Sequence, residues 1–310
     1  MGLVGFYNVS SNCYMNVCLQ GVMCVEDVCK DIVRLREDGL WNKMCLVCEG
    51  RLEKGGVYNS LVIKEMLGKY SVFFRLNGQQ DAHECWVSMV DVLHEKSVEV
   101  SKGEVVEMFS MDREDAFGVW RSVRNSLVKY WYYGMFVNYM QCVECRYVRH
   151  NYEVFNNISS FPGVSVLCML REYMNRVELE GVECEGCKRR CRMVKLTEIF
   201  RFPMVLVVHV KRYDVSVGGY GRNNMEVGFE FMLNFGVGGR VYEYELVCII
   251  NHIGNSPCGG HYMACSKYGS SWYMIDDDRI QEVKEEMLSR FKKNVYMLFY
   301  RLRGITDKKK

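Results

Sequence analysis

Cys142, Cys145, Cys184 and Cys187 form two CxxC pairs separated by 38 residues, and this arrangement restricts how the chain can fold more than any other feature. Four thiolates in two pairs satisfy a tetrahedral structural Zn2+ and leave no open coordination position. The spacer is longer than that of a local zinc finger. The pairs are therefore expected on two hairpin tips that the fold brings together. Cys191, in KRRCR, is a candidate substitute ligand, although that stretch also reads as an exposed basic turn.

The zinc reading depends on the redox compartment. No uninterrupted apolar segment reaches about 18 residues, and the first residues lack the basic-then-apolar order of a signal peptide. A cytoplasmic and/or nuclear location is expected, with no membrane partner. In a reducing compartment the sixteen cysteines read as metal ligands, a nucleophile and small buried side chains rather than as disulfides. A third pair, Cys45 and Cys48, has two readings: a second zinc site completed by Cys24 and Cys29, or burial. Lys and Arg number 40 against 38 Asp and Glu, so no excess positive field recommends a zinc-ribbon nucleic-acid binder.

Hydrophobic periodicity divides the chain. About Gly5 to Glu99 reads as mostly helical, and QQDAHECWVSMVDVLHE is its clearest amphipathic helix, with Ala82, Cys85, Trp86, Met89, Val90 and Leu93 on one face. Glu104 to Arg124 is ambiguous. From Ser126 onward short strand-like runs dominate, interrupted by a helix that Ser165 caps. MVLVVHVKRYD is a continuous β-branched run, the signature of a strand covered on both faces. The expected organisation is one α+β domain: a helical part at 1–125, a strand-rich part at 126–302 with the zinc hairpins at about 135–200, and a basic tail at 303–310.

The nucleophile candidate is Cys13, in GFYNVSSNCYMNVCLQ. Ser11 and Asn12 are N-cap types, and the apolar residues that follow describe a buried helix. A cysteine in its first turn sits at the positive end of the helix dipole, which favours the attacking thiolate. His261 follows Gly259 and Gly260, which permit a tight turn and a close approach of backbones. Asp276 ends the next strand, fifteen residues on. Adjacent antiparallel strands can set the carboxylate beside the imidazole, orienting it and stabilising its protonated form.

Together these segments resemble the ubiquitin-specific protease (ubiquitin carboxyl-terminal hydrolase) family, papain-like cysteine peptidases. The first box is similar to GLxNLGNTCYMNxxLQ and the second to QQDAHE. HVKRYD resembles the LKRF strand, and NHIG through GGHY is followed by a W-to-DD segment. The resemblance runs from about Leu3 to Leu302. It implies a helical thumb, an antiparallel β palm and zinc-tipped fingers, with Cys13 as nucleophile, His261 as general base and Asp276 as its partner. It further implies that Asn8 donates its amide to the oxyanion and that Asp277 is a second polar contact. Asp81 and Glu84, which could otherwise simply complement a helix dipole, would meet the arginine-bearing tail of ubiquitin.

The implied activity is hydrolysis of the (iso)peptide bond after ubiquitin's C-terminal glycine, with ubiquitin and ubiquitinated proteins as partners and no catalytic cofactor. CLVCE at Cys45 to Glu49, and DAHE followed by DVLHE, resemble the deubiquitinase of the SAGA transcriptional coactivator complex. That detail implies a coactivator-type assembly. Ser10 stands where the family has Gly, Asn12 where it has Thr, and Cys85 where it has an aromatic residue. Ser10 is expected to restrict the loop that shapes the oxyanion pocket. The alternative function is a ubiquitin-binding module with weak or no turnover.

Overall fold

A computed structural model describes residues 2–35, 39–100, 116, 118–120, 123–216 and 219–307. The helical part begins with β1 (Val4–Phe6), α1 (Cys13–Met23), α2 (Glu26–Arg34) and α3 (Leu40–Leu52). It continues through β2 (Gly56–Tyr58), which pairs parallel with β1, to α4 (Leu61–Leu67) and α5 (Ala82–Val100). The ambiguous stretch at Glu104 to Arg124 lies largely outside the described residues. No described helix is long and apolar enough to cross a membrane.

Where strand was expected from Ser126, the chain first makes α6 (Leu127–Tyr132), and the Ser126 hydroxyl accepts from the Lys129 amide at 2.9 Å. The aromatic richness of that run suggested a strand, but a well-formed N-cap and packing against α5 override it. Next come β3 (Gly134–Cys142), β4 (Val148–Phe155), β5 (Ile158–Ser160), α7 (Val166–Tyr173), β6 (Val177–Glu183) and β7 (Arg190–Arg201). The helix capped by Ser165 is thus shorter than its sequence pattern, and VELE belongs to β6.

Strands β4-β3-β7-β6 form a separate four-stranded sheet, and the cysteine pairs occupy its two hairpin tips. After β8 (Val205–Val210) a hairpin of β9 (Tyr213–Ser216) and β10 (Gly219–Arg222) replaces most of the expected glycine loop. There follow β11 (Met232–Val237), β12 (Arg240–Ser256), β13 (Gly259–Tyr268), β14 (Ser271–Asp276), β15 (Arg279–Val283) and β16 (Val295–Asp307). The main sheet runs β15-β14-β13-β12-β16-β8-β5, with β11 on β12. Arg303–Asp307 is therefore the end of a strand rather than a tail, with Asp307 opposite Arg240.

The β8 run VLVVHV is buried at every position. Val205 and Val207 join the core shared with the helices, whereas Leu206, Val208 and Val210 join a second core on the other face. Covering both faces is what a continuous apolar strand requires. Helix α1 packs on β13 and α5, so its first residue comes to rest against the strand that begins at Gly259.

Candidate active site

All eleven residues of α1 are buried, including two of three polar residues spaced four apart at its start: Asn12, Asn16 and Gln20. Each is satisfied, as burial demands. Gln20 donates to the Val4 carbonyl at 2.6 Å and accepts from the Tyr268 hydroxyl at 3.3 Å. Ser60 accepts from Asn12 at 2.5 Å and donates to Asn16 at 2.5 Å. Asn16 also donates to Asp277 Oδ1 at 2.7 Å. This stripe fixes the rotation of the helix, and with it the position of Cys13. The i, i+4, i+8 spacing of amide side chains in an otherwise apolar helix is the sequence signal that could have revealed it.

Asn12 is the N-cap by position but does not cap. Its Oδ1 turns back to accept from the amides of Val9 at 3.0 Å and Ser10 at 3.3 Å, and no side chain takes the first helical N–H groups. The uncapped end of an α-helix presents donors and a positive field, here around Cys13. Ser10 itself is exposed, and the left-handed residue of the loop is Ser11, at φ 55°.

His261 Nε2 lies 2.5 Å from Asp276 Oδ1, both side chains being 36% exposed. With Nε2 engaged, the other ring nitrogen is left for Cys13. The Cys13 thiol beside the ring, chiefly, and the Asp276 carboxylate raise the His261 pKa to about 9 against the opposing effect of burial. A thiol, an imidazole and a carboxylate in series can generate a nucleophile and return a proton to a leaving group. Asn8, expected at the oxyanion, holds its amide 2.8 Å from Asp277 Oδ2 and accepts from the Asn12 amide at 3.0 Å.

Gln79 was not singled out from sequence, yet it touches the nucleophile candidate. Its Nε2 is 3.4 Å from Cys13 Sγ and also donates to the Gly260 carbonyl, while its Oε1 accepts from the Gly260 amide at 2.9 Å. The signal available was its place between Gly78, at φ 77°, and the N-cap Asp81. Asp81 has both oxygens in use, accepting from the His83 amide at 2.6 Å and the Tyr296 hydroxyl at 2.7 Å. It thereby caps the start of α5. Glu84 is exposed one turn along.

At the hairpin tips the sulfurs of Cys142, Cys184, Cys187 and Cys191 lie within 4.8 Å of one another. Cys145 Sγ stands 3.5 Å from that of Cys184. Ligands about 2.3 Å from one zinc ion would be about 3.8 Å apart, so the cluster fits a tetrahedral thiolate metal site. The two tips match. The residues after the second cysteines, Arg146 and Lys188, are left-handed at φ 62° and 54°. In each tip the backbone N–H of the second cysteine donates to the first sulfur, drawing Cys184 below its ordinary thiol range and Cys142 down to about 6. The fold thus brings a fifth thiol, Cys191, to the expected four.

A second metal site is not assembled at Cys45 and Cys48. Both face the core from α3, the Cys45 thiol donating to the Ile32 carbonyl at 3.1 Å and Cys48 lying against Cys29. Among the described residues, the only groups of three or more potential ligands are the finger cluster and His261, Asp276 and Asp277.

Residues 4–300 match the family model described as ubiquitin carboxyl-terminal hydrolase. Ubiquitin carboxyl-terminal hydrolase 23 of Arabidopsis thaliana is 25% identical over 96% of this chain and 35% of its own length. Ubiquitin carboxyl-terminal hydrolase 2 of Rattus norvegicus is 24% identical over 97% of the chain and 54% of its own. The chain therefore spans only about a third to a half of these relatives. In three dimensions it is similar to the SAGA Ubp8/Sgf11/Sus1/Sgf73 DUB module bound to ubiquitin aldehyde, with a TM-score of 0.79 at 20% identity over 98% of this chain and 70% of that one. A second structure of that module, bound to monoubiquitin, gives 0.80 at 18%. The family match covers nearly the whole chain and the fold agrees with it, so the chain belongs to the ubiquitin carboxyl-terminal hydrolase family.

Proposed function

We propose that this chain is a thiol-dependent deubiquitinase that hydrolyses the (iso)peptide bond after ubiquitin's C-terminal glycine. The observation that carries this reading is His261, whose Nε2 is 2.5 Å from Asp276 Oδ1 and whose pKa is raised chiefly by the Cys13 thiol beside it. Cys13 attacks the carbonyl carbon, and the oxyanion is met by Asn8 and the uncapped amides of α1. His261, as imidazolium, protonates the departing amine and then activates the water that releases the acyl-enzyme. Glu84 and Asp81 would engage the basic tail of ubiquitin by charge-assisted hydrogen bonds.

The thiolate cluster would hold a structural Zn2+ that ties the two finger tips together. The likeness to a ubiquitin-bound module of several proteins supports ubiquitin as the partner and a coactivator-type assembly as a setting. A cytoplasmic or nuclear site remains the expectation from sequence.

The test is incubation with ubiquitin bearing a thiol-reactive C-terminal group. A covalent adduct that disappears in Cys13→Ala supports the hydrolase. Tight binding without an adduct would leave the inert ubiquitin-binding module instead.

A further inference from the structure

We propose that Gln79 is a further catalytic residue, which hydrogen-bonds the Cys13 sulfur while clasping the backbone N–H and C=O of Gly260, the residue before His261. This rests on the hydrolase reading of Cys13 and His261. The carboxamide of Gln79 spans two successive peptide groups at Gly260, accepting at Oε1 from the Gly260 N–H and donating from Nε2 to the Gly260 carbonyl. The second N–H of the same nitrogen points to Cys13 Sγ, at 3.4 Å.

These three contacts also fix which way the carboxamide faces. Rotated by half a turn, its oxygen would meet the Gly260 carbonyl and the sulfur, and its nitrogen would meet an N–H. All three contacts would then be repulsive or lost. The side chain therefore has a single orientation, one that offers a donor to the sulfur.

The position is one where small shifts matter. Gln79 precedes α5 in the helical part, whereas Gly260 and His261 begin β13 of the main sheet. Gly260 cannot carry a side chain to tighten the junction itself, since a Cβ would stand 2.3 Å from the Ile253 carbonyl. The clasp is thus supplied from the helical part, and the group that makes it is the same group that solvates the sulfur. A donor held against a thiolate by two other hydrogen bonds needs no reorganisation when the charge forms.

The experiment compares the parent protein, Gln79→Glu, Gln79→Ala and His261→Ala. It follows alkylation of Cys13 by iodoacetamide against pH and turnover of a ubiquitin C-terminal amide. Gln79→Glu keeps the shape but puts oxygen where the donor was. Losing one hydrogen bond to a charged sulfur corresponds to about a 10- to 100-fold loss. Both Gln79 variants are expected to lose kcat on that scale with KM little changed, and their alkylation curves to move to higher pH, most in Gln79→Glu.

A purely structural glutamine would leave the alkylation curve in place. Parental curves and kcat in both Gln79 variants, with His261→Ala clearly altered, would overturn this inference and leave the hydrolase standing. Alkylation of Cys13 that ignores His261 altogether would overturn both.

Discussion

Asn8 Nδ2 lies 2.8 Å from Asp277 Oδ2, although the two residues are 269 positions apart. The same carboxylate takes the Asn16 amide on its other oxygen, and the Asp277 carbonyl accepts from the Phe6 N–H at 3.0 Å. Asp277 is itself left-handed, at φ 56°. A strained residue held by three partners persists because its surroundings over-determine it. One hydrogen of the Asn8 amide is used by Asp277, and the other is left for an oxyanion.

Asn8 and Asp277 should therefore act as a unit. Removing one oxyanion donor costs about 100-fold or more in kcat, so Asn8→Ala is expected to fall on that scale. Asp277→Ala should lose less, since Asn8 stays but wanders. The double variant should resemble Asn8→Ala alone, because the second change removes an orientation already lost. A double-mutant cycle on kcat checks this, and fully multiplicative losses would contradict the coupling.

The pH dependence follows from His261. Its pKa is raised in the folded protein from the ordinary 6.5 to about 9, so folding favours the protonated ring. The associated stability is fully present below pH 6.5 and is lost as pH rises through about 9. In the proposed mechanism the same proton is the one delivered to the leaving amine, so kcat/KM should decline on the alkaline side near pH 9. In Asp276→Asn one of the groups holding that proton is gone, and the decline should move to lower pH. Identical alkaline limbs in parent and variant would show that Asp276 does not hold the proton.

Gly259 and Gly260 look equivalent in sequence but are not. A Cβ on Gly260 would lie 2.3 Å from the Ile253 carbonyl and 2.7 Å from Gly254 Cα, at φ 145°. On Gly259 it would meet only the Ser256 hydroxyl, at 3.0 Å. Gly260→Ala is expected to lose about 1–3 kcal/mol or more to backbone strain. Gly259→Ala should stay within about 1 kcal/mol, since a hydroxyl can rotate away. Urea midpoints of the two variants give the comparison.

Much of this site was legible because chemistry restricts the residue types at each position. Cys13, His261 and Asp276 are reactive groups whose neighbours in sequence, an N-cap type before one and a glycine pair before another, already describe the turns that position them. The buried strand at Val205–Val210 was likewise readable, since an unbroken β-branched run has no polar face to offer water. Gln79 was not legible, because an amide side chain before a helix has many unremarkable uses and its partner is 181 residues away. The helix at Leu127–Tyr132 was hidden by its aromatic residues, whose β preference reflects packing more than backbone. For Cys45 and Cys48, of the two readings the structure realises burial. A CxxC spacing within a helix places both thiols on neighbouring faces of one turn, where burial accounts for them.

The finger cluster holds one thiol more than a tetrahedral ion can take. Cys142 and Cys184 receive the backbone donors of their own turns, which stabilise sulfur as thiolate before any metal arrives. Cys145 is exposed at its tip, whereas Cys191 is buried on β7, where it stands opposite Val182 and its sulfur is 3.4 Å from that of Cys142. Either can complete a set of four. Elemental analysis should therefore find metal retained in Cys145→Ser and in Cys191→Ser, but lost in the double variant and in Cys142→Ser or Cys184→Ser. Because metal binding to thiolates couples to folding of the site, the metal-depleted variants should also bind ubiquitin more weakly. Loss of metal from Cys145→Ser alone would mean that Cys191 is only a neighbour of the site, and retention in the double variant would remove the assignment of both.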